Sequence, residues 1–189
     1  MAASYRFQPL TSKNWDDFET LFGPRGACGG CWCMSWRLKK SDYDKNKGNG
    51  NKKAMAKLAK SGKEPGILAY YKKEPIGWCT FAPREEFMRL ESSRVLKPID
   101  DHRVWSITCF FIRKDFRRKG VSAELLKGVI KFCKKKGAKI LEAYPVVPYS
   151  DKMPDVFAWT GFPSAFEKAG FVEAARRSKT RPIMRFYIQ

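Results

Sequence analysis

The sequence predicts an α/β (α+β) fold whose sheet holds a parallel pair of strands, and three consecutive stretches carry that prediction. Residues 104–112, Val-Trp-Ser-Ile-Thr-Cys-Phe-Phe-Ile, form a nearly unbroken apolar run, as expected of a central strand covered on both faces. Residues 121–136 set Val121, Leu125, Val129, Phe132 and Cys133, with Leu126 and Ile130, along one broad stripe, the signature of an amphipathic helix. Lys134, Lys135 and Lys136 complement the dipole at its end, and Gly137 terminates it. Residues 139–144 then return as a strand. A strand, a helix and a second strand in succession place the two strands parallel in one sheet.

The other elements follow in chain order. Residues 5–10, Tyr-Arg-Phe-Gln-Pro-Leu, read as a strand weakened by Pro9. Thr11 and Ser12 are suited to cap a helix with Trp15, Phe18, Leu21 and Phe22 on its apolar side, ended by Gly23, Pro24 and Gly26. Residues 28–36 are rich in cysteine and tryptophan without periodicity, and residues 39–51 read as a polar, mobile loop. A helix resumes over 52–61 through Met55, Leu58 and Ala59, with Gly62 at its C-cap. Residues 67–71 and 76–81 form a hairpin about Lys72-Lys73-Glu74-Pro75. Residues 83–101 are charged and irregular. Beyond the central unit come a short helix over 163–169 ending at Gly170, a strand over 171–175 and a last strand over 182–188.

Composition bounds the function. With 189 residues, 43% hydrophobic and 14% aromatic, the chain is expected to form a single domain over 1–189 with a full core. No run nears the roughly 20 apolar residues of a membrane span, and the start, Met-Ala-Ala-Ser-Tyr-Arg-Phe, lacks an apolar signal core. A cytoplasmic protein with no membrane partner is the expectation. Its six cysteines are then expected to be reduced and metal-free, and Cys79, Cys109 and Cys133 lie inside apolar stretches. The 38 Lys+Arg against 19 Asp+Glu give a net charge of +19. Such a field attracts nucleic acid, anionic membrane or a phosphorylated cofactor, and serves equally as a solubilising surface.

Chemistry concentrates between Phe110 and Ser122. Here a buried strand runs out, a basic turn follows, and Gly120 opens the long helix. Amides at a helix N-terminus are unpaired and bind anions with the help of the dipole. Gly120 would let a phosphate approach the backbone, and Arg117, Arg118 and Lys119 add charge at the same place. The common nucleotide loops, Gly-x-x-x-x-Gly-Lys-Ser/Thr and Gly-x-Gly-x-x-Gly, are absent. The stretch resembles motif A of the GNAT superfamily of N-acetyltransferases, whose cofactor loop reads Arg/Gln-x-x-Gly-x-Gly/Ala. Arg117-Arg-Lys-Gly120-Val-Ser122 matches at Arg117 and Gly120, with Ser122 replacing the usual small apolar residue. Ala165-Phe-Glu-Lys-Ala-Gly-Phe171 is similar to the family's late helix ending in Lys-x-Gly-Phe.

The resemblance implies a mixed sheet of six to seven strands, splayed between the fourth and fifth, with about four flanking helices. It further implies direct acetyl transfer from acetyl-CoA to a small-molecule or protein amine. Backbone groups of Phe110, Phe111 and Ile112 would pair with the pantetheine arm, and a free amide near Phe110 would hold the thioester oxygen. The amides of Arg117, Arg118, Lys119, Gly120, Val121 and Ser122 would hold the pyrophosphate. Oligomeric state is left open, a homodimer included.

The reaction asks for a base more than for an acid. An alkylammonium near pKa 10.4 must lose a proton, at about 4 to 5 kcal/mol at pH 7, whereas a thiol of pKa about 8.5 leaves readily. Where many family members place a tyrosine acid, this chain has Phe166, and where a glutamate often stands at the central strand it has Ser106. Tyr144 and Tyr149 are the substitute acids, Glu142 a base acting through a water, and His102, the one histidine, a further candidate base. Cys109, mid-strand with no evident histidine, is read as packing rather than as a nucleophile. Cys28-Gly-Gly-Cys31-Trp-Cys33 offers three thiolates to zinc but shows no fourth ligand nearby. By the resemblance, its position between the first two helices is where acceptor substrates enter, with Trp32 and Trp36 as walls. Two other readings stand beside the enzyme: a CoA sensor without turnover, and a basic nucleic-acid module, which the clustering of aromatics in apolar strands disfavours.

Overall fold

A computed structural model describes residues 4–148 and 154–189. Seven strands form one sheet: β1 (Tyr5–Pro9), β2 (Gly66–Tyr71), β3 (Glu74–Pro83), β4 (Trp105–Ile112), β5 (Ile140–Ala143), β6 (Val172–Arg176) and β7 (Pro182–Tyr187). Their order is β1-β2-β3-β4-β5-β7-β6. Every neighbouring pair is antiparallel except β4 and β5. The helices are α1 (Trp15–Phe22), α2 (Lys40–Lys45), α3 (Asn49–Lys60), α4 (Met88–Glu91), α5 (Val121–Lys135) and α6 (Pro163–Lys168). Among the described residues no helix is long and apolar enough to cross a membrane.

The sheet is covered on both sides, which is why residues 104–112 show no polar alternation. On one side Val121, Leu125, Leu126, Val129 and Cys133 of α5 pack on the sheet. On the other, Phe18, Leu21 and Phe22 of α1 and Met55 and Ala59 of α3 bury against Leu68, Trp78 and Cys109. Thr11 caps the turn leading into α1 with a reciprocal Asn14 bond, as its sequence leads one to expect.

One expectation fails between the first helices. Residues 39–51 are not a loop, since α2 and the first turn of α3 lie within them. Neither carries a readable apolar stripe. α2 buries nothing, and α3 is anchored at its start by a polar residue, Asn51, whose amide donates to the carbonyls of Gly30 and Tyr43 at 3.2 and 3.4 Å. Gly30 makes the approach possible: a Cβ there would meet the Gly48 nitrogen at 2.5 Å.

Two irregularities in β4 shape the centre. Cys109 faces Thr80 and Ile107 faces Phe81, so Thr108 is an extra residue with no partner opposite. This bulge switches the alternation: Ile107 and Phe110 both join the α5 side, and Cys109 the α1 side. Further, β4 pairs with β5 only through Trp105, Ser106 and Ile107. From there β4 continues to Ile112 while β5 stops at Ala143, and the two splay. The gap is bridged by the chain's own residues 159–161. Phe110 N–H donates to the Trp159 carbonyl at 2.6 Å, and Val146 N–H donates to the Gly161 carbonyl at 2.9 Å.

Candidate functional site

The end of β4 leads through a single helical turn to Gly120, which caps α5 in the left-handed region at φ +77°. Arg118 also has positive φ, +59°, a strained choice for a residue with a side chain. Two such residues turn the chain sharply, so that α5 starts with its amides facing outward. The Gly120 carbonyl accepts from the N–H groups of Ala123 and Glu124, and no side chain caps the helix. The N–H groups of Val121 and Ser122 have no i−4 carbonyl to reach within α5. A Cβ at Gly120 would meet nothing within 4 Å, so the space beside Gly120 at the helix start is open. Arg118 and Lys119 are exposed beside it. Lys119 Nζ lies 5.6 Å from the Phe116 ring centroid. Arg117 is half-buried, and its Nε donates to the Ile112 carbonyl at 3.0 Å, tying the loop to β4.

These contacts correct two details of the expected cofactor geometry. The Phe110 amide, expected to be free, is bonded to Trp159, and the Ile112 carbonyl is bonded to Arg117. Both backbone groups face the splay end of β4 as expected, and the chain itself satisfies them. The Phe110 ring packs edge-on against Phe166 at 5.6 Å, and Phe111 lies 5.3 Å from Phe22. Phe166, wholly buried, sits between Phe110 and Phe171.

Glu142 and Tyr144 project from the β5 end into a closed ionic network. Glu142, 1% exposed, accepts from Arg84 Nη1 at 3.2 Å, from Tyr144 Oη at 2.7 Å and from Arg185 Nε at 2.8 Å. The Tyr144 hydroxyl also meets Ser106 Oγ and Arg84 Nη1, each at 2.7 Å. Burial, then the Glu142 charge, holds the Tyr144 phenol far above its ordinary range. Arg185 continues to Asp100, whose carboxyl lies well below the usual range chiefly through that bond. A base acting through a water needs an open oxygen, and both oxygens of Glu142 are occupied by buried partners. The expectation for Glu142 as base and Tyr144 as acid is therefore not met by this arrangement. His102 is exposed on the far side of the same network, 3.2 Å from Asp100, and Tyr149 lies outside the described residues.

Beside the splayed end of β4 is a cavity of about 290 Å³. Phe110, Phe111, Trp36, Phe157 and Trp159 are among its aromatic lining residues, and Cys28, Cys31, Cys33 and Cys109 all border it. Cys33 Sγ accepts from Trp78 Nε1 at 3.0 Å and lies 2.7 Å from Cys109 Sγ. The fold thus brings Cys109 to the Cys-x-x-Cys-x-Cys segment from 76 residues away. Even so, among the described residues no three His, Cys, Asp or Glu side chains stand close enough to hold a metal ion. Burial pushes the Cys31 thiol up to about 11 and is among the causes that hold the Cys109 thiol well above its ordinary range, after its contact with Cys33. Trp36 lines this cavity, whereas Trp32 lines a larger open cleft of about 870 Å³ between α1 and α3. None of that cleft's described lining residues belongs to β4 or α5, whereas the smaller cavity borders β4 through Cys109, Phe110 and Phe111. Trp159 and Phe157 had no sequence signal. They follow no periodicity and enter the site only because residues 159–161 cross the splay.

The comparisons agree with this geometry. The family model described as Acetyltransferase (GNAT) family matches residues 32–162, and no curated protein matches the chain. Similar solved structures include a GNAT-family acetyltransferase of Streptococcus agalactiae 2603, with TM-score 0.58, 13% identity, and 98% of this chain and 95% of that one covered. The PaiA N-acetyltransferase of Thermoplasma acidophilum, in complex with coenzyme A, has TM-score 0.55 at 14% identity over 97% and 99% of the two chains. The ribosomal-protein-S5-alanine acetyltransferase of Vibrio fischeri has TM-score 0.57 at 10% identity over 98% and 93%. At such identities the structures show a shared fold, and the family match spans more than half of the sequence. The chain belongs to the GNAT family of acetyltransferases.

Proposed function

We propose that the chain transfers an acetyl group from acetyl-CoA directly to an amine acceptor. One observation carries the reading: an uncapped 15-residue helix opens at a left-handed glycine beside the splay of β4 and β5. The residues fit the cofactor at its phosphate end. The amides of Val121 and Ser122 open a helix with no side-chain cap, the space at the Gly120 Cβ position is open, and Arg118 and Lys119 supply charge there. Arg117 holds the loop in register through Ile112. Acetyl-CoA supplies an activated acyl thioester when bound. The Phe110 N–H is the backbone donor facing the splay, and it serves an acyl oxygen once Trp159 gives up its bond. That exchange is of one carbonyl for another, so its net change is small beside the roughly 0.5–1.5 kcal/mol of a hydrogen bond. Glu142 and Tyr144 act in this reading as positioning residues that fix β5 against β4. We place the activity in the cytoplasm, in keeping with cysteines free of disulfides.

The bond between Phe110 and Trp159 also favours a second reading, a CoA-binding module that does not turn the thioester over. Thiol release from acetyl-CoA in the presence of amines separates the two. Calorimetry tests the shared cofactor assignment. Gly120→Val should weaken CoA at least about tenfold, because a β-branched residue in the left-handed region strains the turn by about 1–2 kcal/mol and crowds the amides. A dephosphorylated pantetheine analogue should bind the variant almost as it binds wild type. Equal CoA affinity in wild type and a folded Gly120→Val variant overturns the assignment.

A further inference from the structure

The cavity beside β4 is unusual for a site that must handle an amine. Among the described residues, seven aromatics and four cysteines make up most of its wall, with Ala27 and Ser35 beside them. Among the described residues no Asp, Glu, His, Lys or Arg lines it. Its titratable groups are Cys28, Cys31, Cys33, Cys109 and Tyr43. Burial raises Tyr43 to about 12 and Cys31 to about 11. The nearest charges reach it from behind the wall: Arg89 bonds Ser35 at 2.9 Å, and Asp44 and Arg89 act on Tyr43 in opposite senses.

An alkylammonium gains little here. It would leave water with no carboxylate to pair with, and rings alone hold a cation by cation–π attraction, which favours the protonated, unreactive form. The net charge of +19 opposes its approach as well. Glu142, the nearest buried carboxylate of the sheet, is occupied by Arg84, Arg185 and Tyr144. At about 290 Å³ the space lies at the small end of ligand pockets, which suits a molecule of one or two rings rather than a protein segment.

Building on the acetyl-transfer reading above, we propose that the acceptor is a small arylamine, or an amine of similarly low basicity, that enters this cavity uncharged and needs no general base. The nitrogen lone pair forms the N–C bond to the acyl carbon, and the C–S bond breaks with its electron pair on sulfur. The proton lost from nitrogen ends on the released thiol or in water, and the products are an N-acetyl arylamide and CoA. The flat ring would lie among Phe111, Trp36 and Trp159, with its amino group toward β4.

The test uses the full chain. Acetyl-CoA binding is measured first by calorimetry, and thiol release is then followed with aniline and 4-methoxyaniline against benzylamine, cyclohexylamine and spermidine. An alkylamine is neutral to only about one part in a thousand near pH 7. The arylamines should therefore exceed the alkylamines in kcat/KM at least about 100-fold at pH 7, even though a neutral alkylamine is the better nucleophile. Their kcat/KM should stay flat between about pH 6 and pH 9, while that of benzylamine rises about tenfold per unit. Faster turnover of benzylamine or spermidine at pH 7 overturns the acceptor class and leaves acetyl transfer standing. Acetyl-CoA binding without acetylation of any arylamine overturns the acceptor class too. Absence of acetyl-CoA binding removes the acetyl-transfer reading itself, and this inference with it.

Discussion

Replacing Glu142 tells a catalytic carboxylate from a structural one. Its three partners lie at 2.7–3.2 Å, and the side chains of Arg84 and Arg185 are 8% and 3% exposed. Glu142→Ala leaves two buried guanidinium groups facing an empty site. Removing one member of a buried pair costs about 3–5 kcal/mol. Arg185 keeps Asp100 at 3.0 Å, and Arg84 keeps Glu91, which is 55% exposed and screened, so the lower part of that range, about 3–4 kcal/mol, is expected. At about 2–4 °C per kcal/mol for a chain of this size, the melting temperature should fall by about 6–16 °C. Glu142→Gln keeps the shape and should fall less. Thermal melts and urea titrations read the stability. Acetyl-CoA turnover measured well below the melting point, at about 15 °C, should stay within a few-fold of wild type. A base would behave in the opposite way, losing about 10²–10⁴ in rate with folding untouched. An unchanged melting temperature with turnover abolished in Glu142→Gln would refute the structural role argued here.

Three further outcomes follow from the same geometry. Phe166→Leu removes a ring packed between Phe110 and Phe171 and should lower stability by about 1–2 kcal/mol. It should leave the pH–rate limbs in place, and a displaced limb would mean the helix had been misread. Cys31, Cys79, Cys109 and Cys133 all titrate above their ordinary value, through burial and, for Cys109, first its contact with Cys33. The folded chain therefore keeps protons that the unfolded chain releases, so stability should hold below about pH 9 and decline as the pH rises through 11; a flat urea midpoint from pH 8 to 11 contradicts this. Protein purified without added metal should contain no stoichiometric zinc by elemental analysis, and a 1:1 content would show that the four cysteines at the cavity close on an ion.

Much of the fold was legible because periodicity and buried surface coincide. The stripe of α5, from Val121 to Cys133, is the stripe that packs on the sheet, and the apolar run of β4 is apolar because both faces are covered. Legibility ended where polar groups hold the backbone. Asn51 supports α3 from within, and residues 39–51 therefore read as a loop although they begin two helices. The bulge at Thr108 could not be read either, since a residue with no cross-strand partner looks like any other in an apolar run.

The candidate site divides along the same line. The left-handed Gly120 and its basic neighbours at the start of α5 were legible because a helix start, a glycine free to take positive φ and nearby charge are all local in sequence. The catalytic side depends on distant partners. Glu142 looks like a free carboxylate on a strand, and only folding delivers Arg84 and Arg185 to its two oxygens, 58 and 43 residues away in sequence. Cys109 looks like packing in its own strand and packs indeed, but against Cys33 at the wall of a cavity whose contents the strand could not reveal. A carboxylate already paired and a cavity with none among its described lining residues lead to the same consequence. If acyl transfer takes place there, the acceptor has to bring its own lone pair, and basicity of the amine becomes the property on which selection acts.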